Sequence, residues 1–222
     1  MTHAHENAPR RSIAGLLLIV SVPLAWAVLL MFHPNPPGAP FESIRDVVDR
    51  WLFVHVGQLV LTPLLVLAVW RLLDGLDFRS AKVARAAAVV WAVFFTAYDS
   101  IQGITTGLLV RFADADLTGA EQAGVARGLD YLVSDTLLAG NISAIGLIGN
   151  CAWFAVAIGG AVALSKAGAG KGAVIAMALS TVFVMHTAPA AIGLIAFAIA
   201  GVLLERRRSE RGTVARSALA SP

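Results

Sequence analysis

Charge is scarce in this chain. Asp, Glu, Lys and Arg together make up 14% of its 222 residues, against about 25% in an ordinary soluble domain. That deficit excludes a water-solvated surface over most of the molecule. Cysteine is scarcer still. Cys151 stands alone, which excludes an intramolecular disulfide and any multi-cysteine metal motif. Lysine is limited to Lys82, Lys166 and Lys171 against fourteen arginines, a bias that points to a GC-rich bacterial source. No lysine lies inside an apolar run, so none is placed to anchor retinal through a Schiff base. HExxH, GxSxG and the Rossmann fingerprint are all absent. Gly168-Ala169-Gly170-Lys171-Gly172 has the composition of a phosphate loop but not its spacing, and it reads as a solvated loop.

What the chain does have is apolar residues in long blocks. The hydrophobic share is 58% and the mean hydropathy +0.76. A bilayer core takes about 20 apolar residues per helix. The expected fold is therefore all-α: a polytopic bundle of six transmembrane helices at about 13–32, 51–73, 86–110, 136–164, 172–186 and 189–205. Residues 1–12 form an N-terminal tail, 13–205 one membrane domain, and 206–222 a basic C-terminal tail. Ile13–Phe32 is too long for a signal-peptide core and ends in Phe32-His33-Pro34 rather than in small residues, so it reads as a retained helix. The prolines 34, 36, 37 and 40 impose an extended loop on 33–40. A helical lead-in follows over 41–50. Trp51 and Trp70 suit the two interfaces of the second span, and Pro63 should kink it or free a carbonyl. Thr118-Gly119-Ala120-Glu121 fits a capping box and starts a surface helix.

The run 173–204 admits two readings, a pair of short spans with a turn near His186-Thr187-Ala188-Pro189, or one long kinked helix in a five-span protein. Charge favours the pair. It brings Arg206-Arg207-Arg208 to the same side as Lys166 and Lys171, as the positive-inside rule requires. Thirteen basic residues then fall inside and four outside, Arg45, Arg50, Arg111 and Arg127. The expected location is the plasma (inner) membrane, with both termini cytoplasmic. The net charge of +3 sits at helix ends, so the partner it implies is the lipid bilayer and not nucleic acid.

Polar residues inside the spans carry the functional question. Asp99 is the one acidic residue deep in an apolar run, at an insertion cost of about 2.5–3.5 kcal/mol. Ten neighbouring Val, Ile, Leu and Phe residues return about 0.3–0.6 kcal/mol each, so the span tolerates it. Asp99, Gln102 and Thr106 follow i, i+3, i+7. So do His55, Gln58 and Thr62 on the preceding span. Depth counted from the outer ends of these antiparallel spans pairs His55 with Thr106, Gln58 with Gln102, and Thr62 with Asp99. Asp135, Ser143, Gly146, Asn150 and Trp153 form a stripe on the fourth span that could close the same interior, with His186 as a lid.

Three functional readings follow. The first is a small transporter or permease-like protein with an outward-facing polar cavity, binding a small molecule or a proton. Asp99 is its protonatable centre, and His55, Gln58, Thr62, Gln102, Thr106 and Asn150 are contacts. The second is a non-catalytic structural or assembly protein, in which these groups and the GxxxG pair Gly103/Gly107 only hold helices, or a homo-oligomer, together. The third is a membrane protein that binds haem b through His55 and His186, or a metal through His55, Asp99 and His186. No cofactor is expected on the first two readings.

Overall fold

The computed structural model describes residues 13–35, 37–138, 140, 143–185 and 188–219, with side chains to residue 210. The described residues are helical and contain no strand. The helices are α1 (Ile13–Met31), α2 (Pro40–Ile44), α3 (Val48–Leu72), α4 (Arg79–Tyr98), α5 (Thr106–Asp116), α6 (Gly119–Ser134), α7 (Ala144–Lys166), α8 (Lys171–Leu179) and α9 (Ala190–Leu219). Short 3₁₀ turns at Arg45–Val47 and Ser180–Met185 continue α2 into α3 and extend α8. A π-helical segment, Asp99–Thr105, joins α4 to α5.

Four of these helical stretches are long and apolar enough to cross a membrane: Ile13–Met31, Pro40–Leu72, Arg79–Asp116 and Ala144–Lys166. The third is 38 residues long, about 57 Å at 1.5 Å per residue, nearly twice the hydrocarbon thickness. Its α5 end must therefore project beyond the apolar layer. Within the run 173–204, α8 and its 3₁₀ extension reach Met185, α9 starts at Ala190, and α8 packs on α9. His186 and Thr187, at the expected turn, lie outside the described residues.

Polarity is distributed inside out. On α3, Phe53, Val56, Val60, Pro63 and Leu67 are exposed, while His55, Gln58, Thr62, Leu65, Val69 and Leu72 are buried. Both sets recur every three to four residues, so one face is apolar toward lipid and the other turns its polar groups inward. Small residues permit close packing. Ala81, Ala84 and Ala88 form the buried face of α4 against α7. At Gly159 an added methyl would lie 3.1 Å from the Ser80 carbonyl oxygen. Trp26, Trp91, Phe95, Trp153 and Phe183 fill the middle of the main core with ring centroids 4.9–5.8 Å apart. A second small core joins Phe41 and Ile44 of α2 to Val110, Ala113 and Leu129. The lead-in expected at the surface is thus partly buried.

The basic end of the bundle is tied by arginine. Arg85 donates to the carbonyls of Leu73 and Leu76, clamping the α3–α4 turn. Arg208 reaches the Asp74 carbonyl at 3.4 Å and pairs with Glu205 at 2.6 Å. Arg71 pairs with Asp74. One boundary is displaced by a local turn. The fourth span begins at Ala144 and not near 136, because Asp135 accepts from the Leu137 and Leu138 amides and closes a turn there. Ser143 then caps α7 by accepting from the Gly146 amide at 3.2 Å. Asp135 and Ser143 therefore serve the backbone before α7 and do not form an interior stripe. Thr118 occupies the cap position of α6 without a side-chain cap bond.

Candidate functional site

The short turn between Leu72 and Arg79 sets the register of α3 against α4. His55 stands 17 residues before Leu72 and Asp99 20 residues after Arg79, about 25 and 30 Å along the two helices. They meet. His55 Nδ1 lies 2.6 Å from Asp99 Oδ1, and both side chains are buried, at 1% and 0% exposure. The other carboxylate oxygen, Oδ2, is buried with no hydrogen-bond partner among the described residues.

Aromatic rings enclose the pair. Trp51 lies 4.5 Å from the His55 ring and His33 lies 5.1 Å from it, edge to face. On the far side Gly103 gives the imidazole its room, since a methyl there would collide with the ring. The π-helical segment makes this fit possible. Its i→i+5 pattern inserts in effect one extra residue into the span, which turns Asp99 and Gly103 together toward α3 while Gln102 faces elsewhere. Side chains brace the irregular backbone. Trp51 Nε1 donates to the Gly103 carbonyl at 2.7 Å, and Thr105 Oγ1 donates to the Ser100 carbonyl at 2.9 Å. Gly107, one turn on, faces Leu52 and Trp51, so the GxxxG pair does serve close helix contact.

Three expected pairs are thereby corrected. His55 meets Asp99 and not Thr106, because the inner turn fixes depth and the outer helix ends do not. Thr62 does not reach Asp99; its hydroxyl donates to the Gln58 carbonyl of its own helix at 2.8 Å. Gln58 does not pair with Gln102. It is fully buried, and both its amide atoms lack partners among the described residues. It lines a small inner cavity of about 30 Å³ instead.

A larger cavity, about 530 Å³, opens at the end of the bundle that carries α2 and α6. Gln102, Thr106 and Asn150 line it, as do His33, Trp51 and Tyr98. Asn35 and Ser43 contribute further polar groups. Asp99 and His55 stand behind this wall, not in it. No Asp, Glu, Lys or Arg lines the cavity among the described residues. Its titratable ring, His33, has its pKa lowered from 6.5 to about 4, by burial first and then by repulsion from His55, against a raising hydrogen bond to the Pro34 carbonyl. The cavity is therefore uncharged at neutral pH.

The chain matches no protein-family model, no curated protein and no solved structure.

His33, Tyr98 and Trp51 are the site residues that sequence reasoning missed or misassigned. Trp51 was expected at an interface and proves to be a wall of the site. His33, which marks only a loop boundary in the sequence, lines the cavity and bonds the Pro34 carbonyl. The haem reading draws no support from His55, the described half of its ligand pair. His55 lines neither cavity, and Trp51, His33 and Gly103 occupy the space beside its ring. His186 lies outside the described residues, and among those described no group of three His, Cys, Asp or Glu side chains is placed to hold a metal.

Proposed function

We propose that this is a small transporter or permease-like membrane protein that takes an uncharged, hydrogen-bonding molecule into an outward-facing cavity. The His55–Asp99 pair acts as its proton store. One observation carries the reading: a buried imidazole–carboxylate pair 2.6 Å apart stands directly behind the wall of a cavity of about 530 Å³. That volume lies within the range of small-molecule sites, about 300–1,000 Å³. Trp51, Phe95 and Tyr98 offer apolar faces, while Asn35, Ser43, Gln102, Thr106 and Asn150 offer donors and acceptors. An ion finds no countercharge there; a neutral polar solute finds partners. Intramembrane ionisable residues in such positions are frequent proton-relay groups. The plasma membrane and cytoplasmic termini belong to the same proposal, resting on the basic residues gathered at the opposite end of the bundle.

The test is flux. Protein is reconstituted in vesicles that enclose a pH-sensitive dye, and neutral polar solutes are added outside under an imposed pH gradient. Solute-dependent proton entry is expected for the wild type and not for Asp99→Asn. Equal proton entry in both would remove the proton role. The competing reading, helix assembly alone, draws on Thr62 bonding its own helix and on the Gly103/Gly107 contact. It expects Asp99→Asn to behave as wild type throughout.

A further inference from the structure

The two cavities meet at three side chains. Phe95, Asn150 and Val184 line both. Beyond them the inner chamber is walled largely by rings, among them Trp91 and Trp153, whose centroids are 4.9 Å apart. A space lined by aromatic groups alone would stay dry. This one is not apolar. Gln58 and Trp26 both line it, and both are fully buried. Neither amide atom of Gln58 has a hydrogen-bond partner among the described residues, and neither has the indole N–H of Trp26. Three unmet polar atoms around one void are rare in a folded protein, and a membrane interior supplies no solvent to satisfy them from outside.

Size decides what can satisfy them. The chamber's volume of about 30 Å³ exceeds the roughly 10–15 Å³ that one water needs. It is too small for a solute of several heavy atoms. Water matches the chemistry as well: it accepts from the Trp26 indole and from the Gln58 amide nitrogen, and donates to the Gln58 amide oxygen. Asn150, shared with the outer cavity, adds an amide at the entrance. We propose that the chamber is an internal hydration site, holding one or two waters between Gln58 and Trp26, which exchange with the outer cavity past Phe95 and Asn150. The polar path of this bundle then runs one step deeper than the cavity and stops at the Trp91–Trp153 floor. This inference does not depend on any proton movement at Asp99.

Synchrotron hydroxyl-radical footprinting of the full chain in nanodiscs tests it, because water trapped in a chamber marks the rings that touch it. Phe183 lines the chamber, whereas Phe197 is a buried ring that lines neither cavity. Phe183 is expected to be oxidised several-fold faster than Phe197, with Trp26 modified alongside it. Gln58→Leu is expected to bring Phe183 down to the Phe197 rate. In ¹⁸O-water mixing, Phe95→Ala is expected to bring heavy oxygen into the Phe183 product faster than in the wild type. Equal oxidation of Phe183 and Phe197 in the wild type means a dry chamber and overturns the proposal. That comparison needs no variant to fold. Oxidation of Phe183 that persists unchanged in a folded Gln58→Leu protein overturns it equally, since Gln58 would then hold no water.

Discussion

Replacing His55 by leucine should destabilise the bundle more than replacing His55 and Asp99 together. The single change leaves a buried carboxylate with neither oxygen paired, because Oδ2 already lacks a partner among the described residues and Oδ1 bonds His55. Breaking one side of a buried ion pair costs about 3–5 kcal/mol. The reverse single change, Asp99→Leu, removes the carboxylate that faces His55 Nδ1, a lost buried hydrogen bond worth about 1–3 kcal/mol. The double change removes both polar groups and should cost less than His55→Leu alone. The coupling from the cycle should then be about 2 kcal/mol or more. A neutral interhelical hydrogen bond in a membrane protein averages only about 0.6 kcal/mol and reaches about 1.7, so the magnitude reports charge as well as contact. Equilibrium unfolding in mixed micelles with rising dodecyl sulfate, followed by circular dichroism, measures all four proteins. Additive single effects, with coupling of about 0.6 kcal/mol or below, would refute an ionised pair and with it the proton store.

Gly103→Ala should cost about 1–3 kcal/mol by overpacking, because the methyl meets a His55 ring that Asp99, Trp51 and His33 hold in place; the same unfolding assay reads it. Gly193→Ala should be worse than Gly57→Ala. The first meets the Phe183 backbone where α9 crosses the 3₁₀ turn, and the second meets only the Leu29 side chain, which can turn away; a comparison of their melting temperatures checks the order. Acid should weaken the fold through His33. Its folded pKa of about 4 lies below the ordinary 6.5, so the unfolded chain takes up the proton first as pH falls. The stability held by neutral His33 is complete above pH 6.5 and is lost between there and about pH 4. His33→Asn should flatten the unfolding midpoint across that window, and an unchanged slope would count against it.

Hydropathy made the helices legible because each apolar run must satisfy its own backbone in lipid. His55 and Asp99 were both singled out in the sequence, since polar groups in apolar runs are costly wherever they lie. Their partnership was not legible, for two physical reasons. The i, i+3, i+7 phase along the third span holds for an unbroken α-helix, and nothing in Asp99-Ser100-Ile101-Gln102-Gly103-Ile104-Thr105 announces a π-helical turn. Depth was counted from the outer helix ends, which are extended by α5 and by the α2 lead-in. Counted from the Leu72–Arg79 turn, His55 falls within one helical turn of Asp99. The cavity itself joins a loop, α3, α4, α5 and α7, and no single-helix pattern encodes such a meeting.

The tryptophans of the core have an optical consequence. Trp26, Trp91 and Trp153 follow one another with centroid separations of 5.8 and 4.9 Å and ring planes tilted by 45° and 58°, and they belong to α1, α4 and α7. Transition dipoles of indoles that close interact, so three of the five tryptophans are expected to give an exciton-coupled signal. Near-ultraviolet dichroism of this protein therefore reads the mutual orientation of three separate helices. A small rotation of any one of them would register as a change in exciton sign or amplitude before any helix is lost.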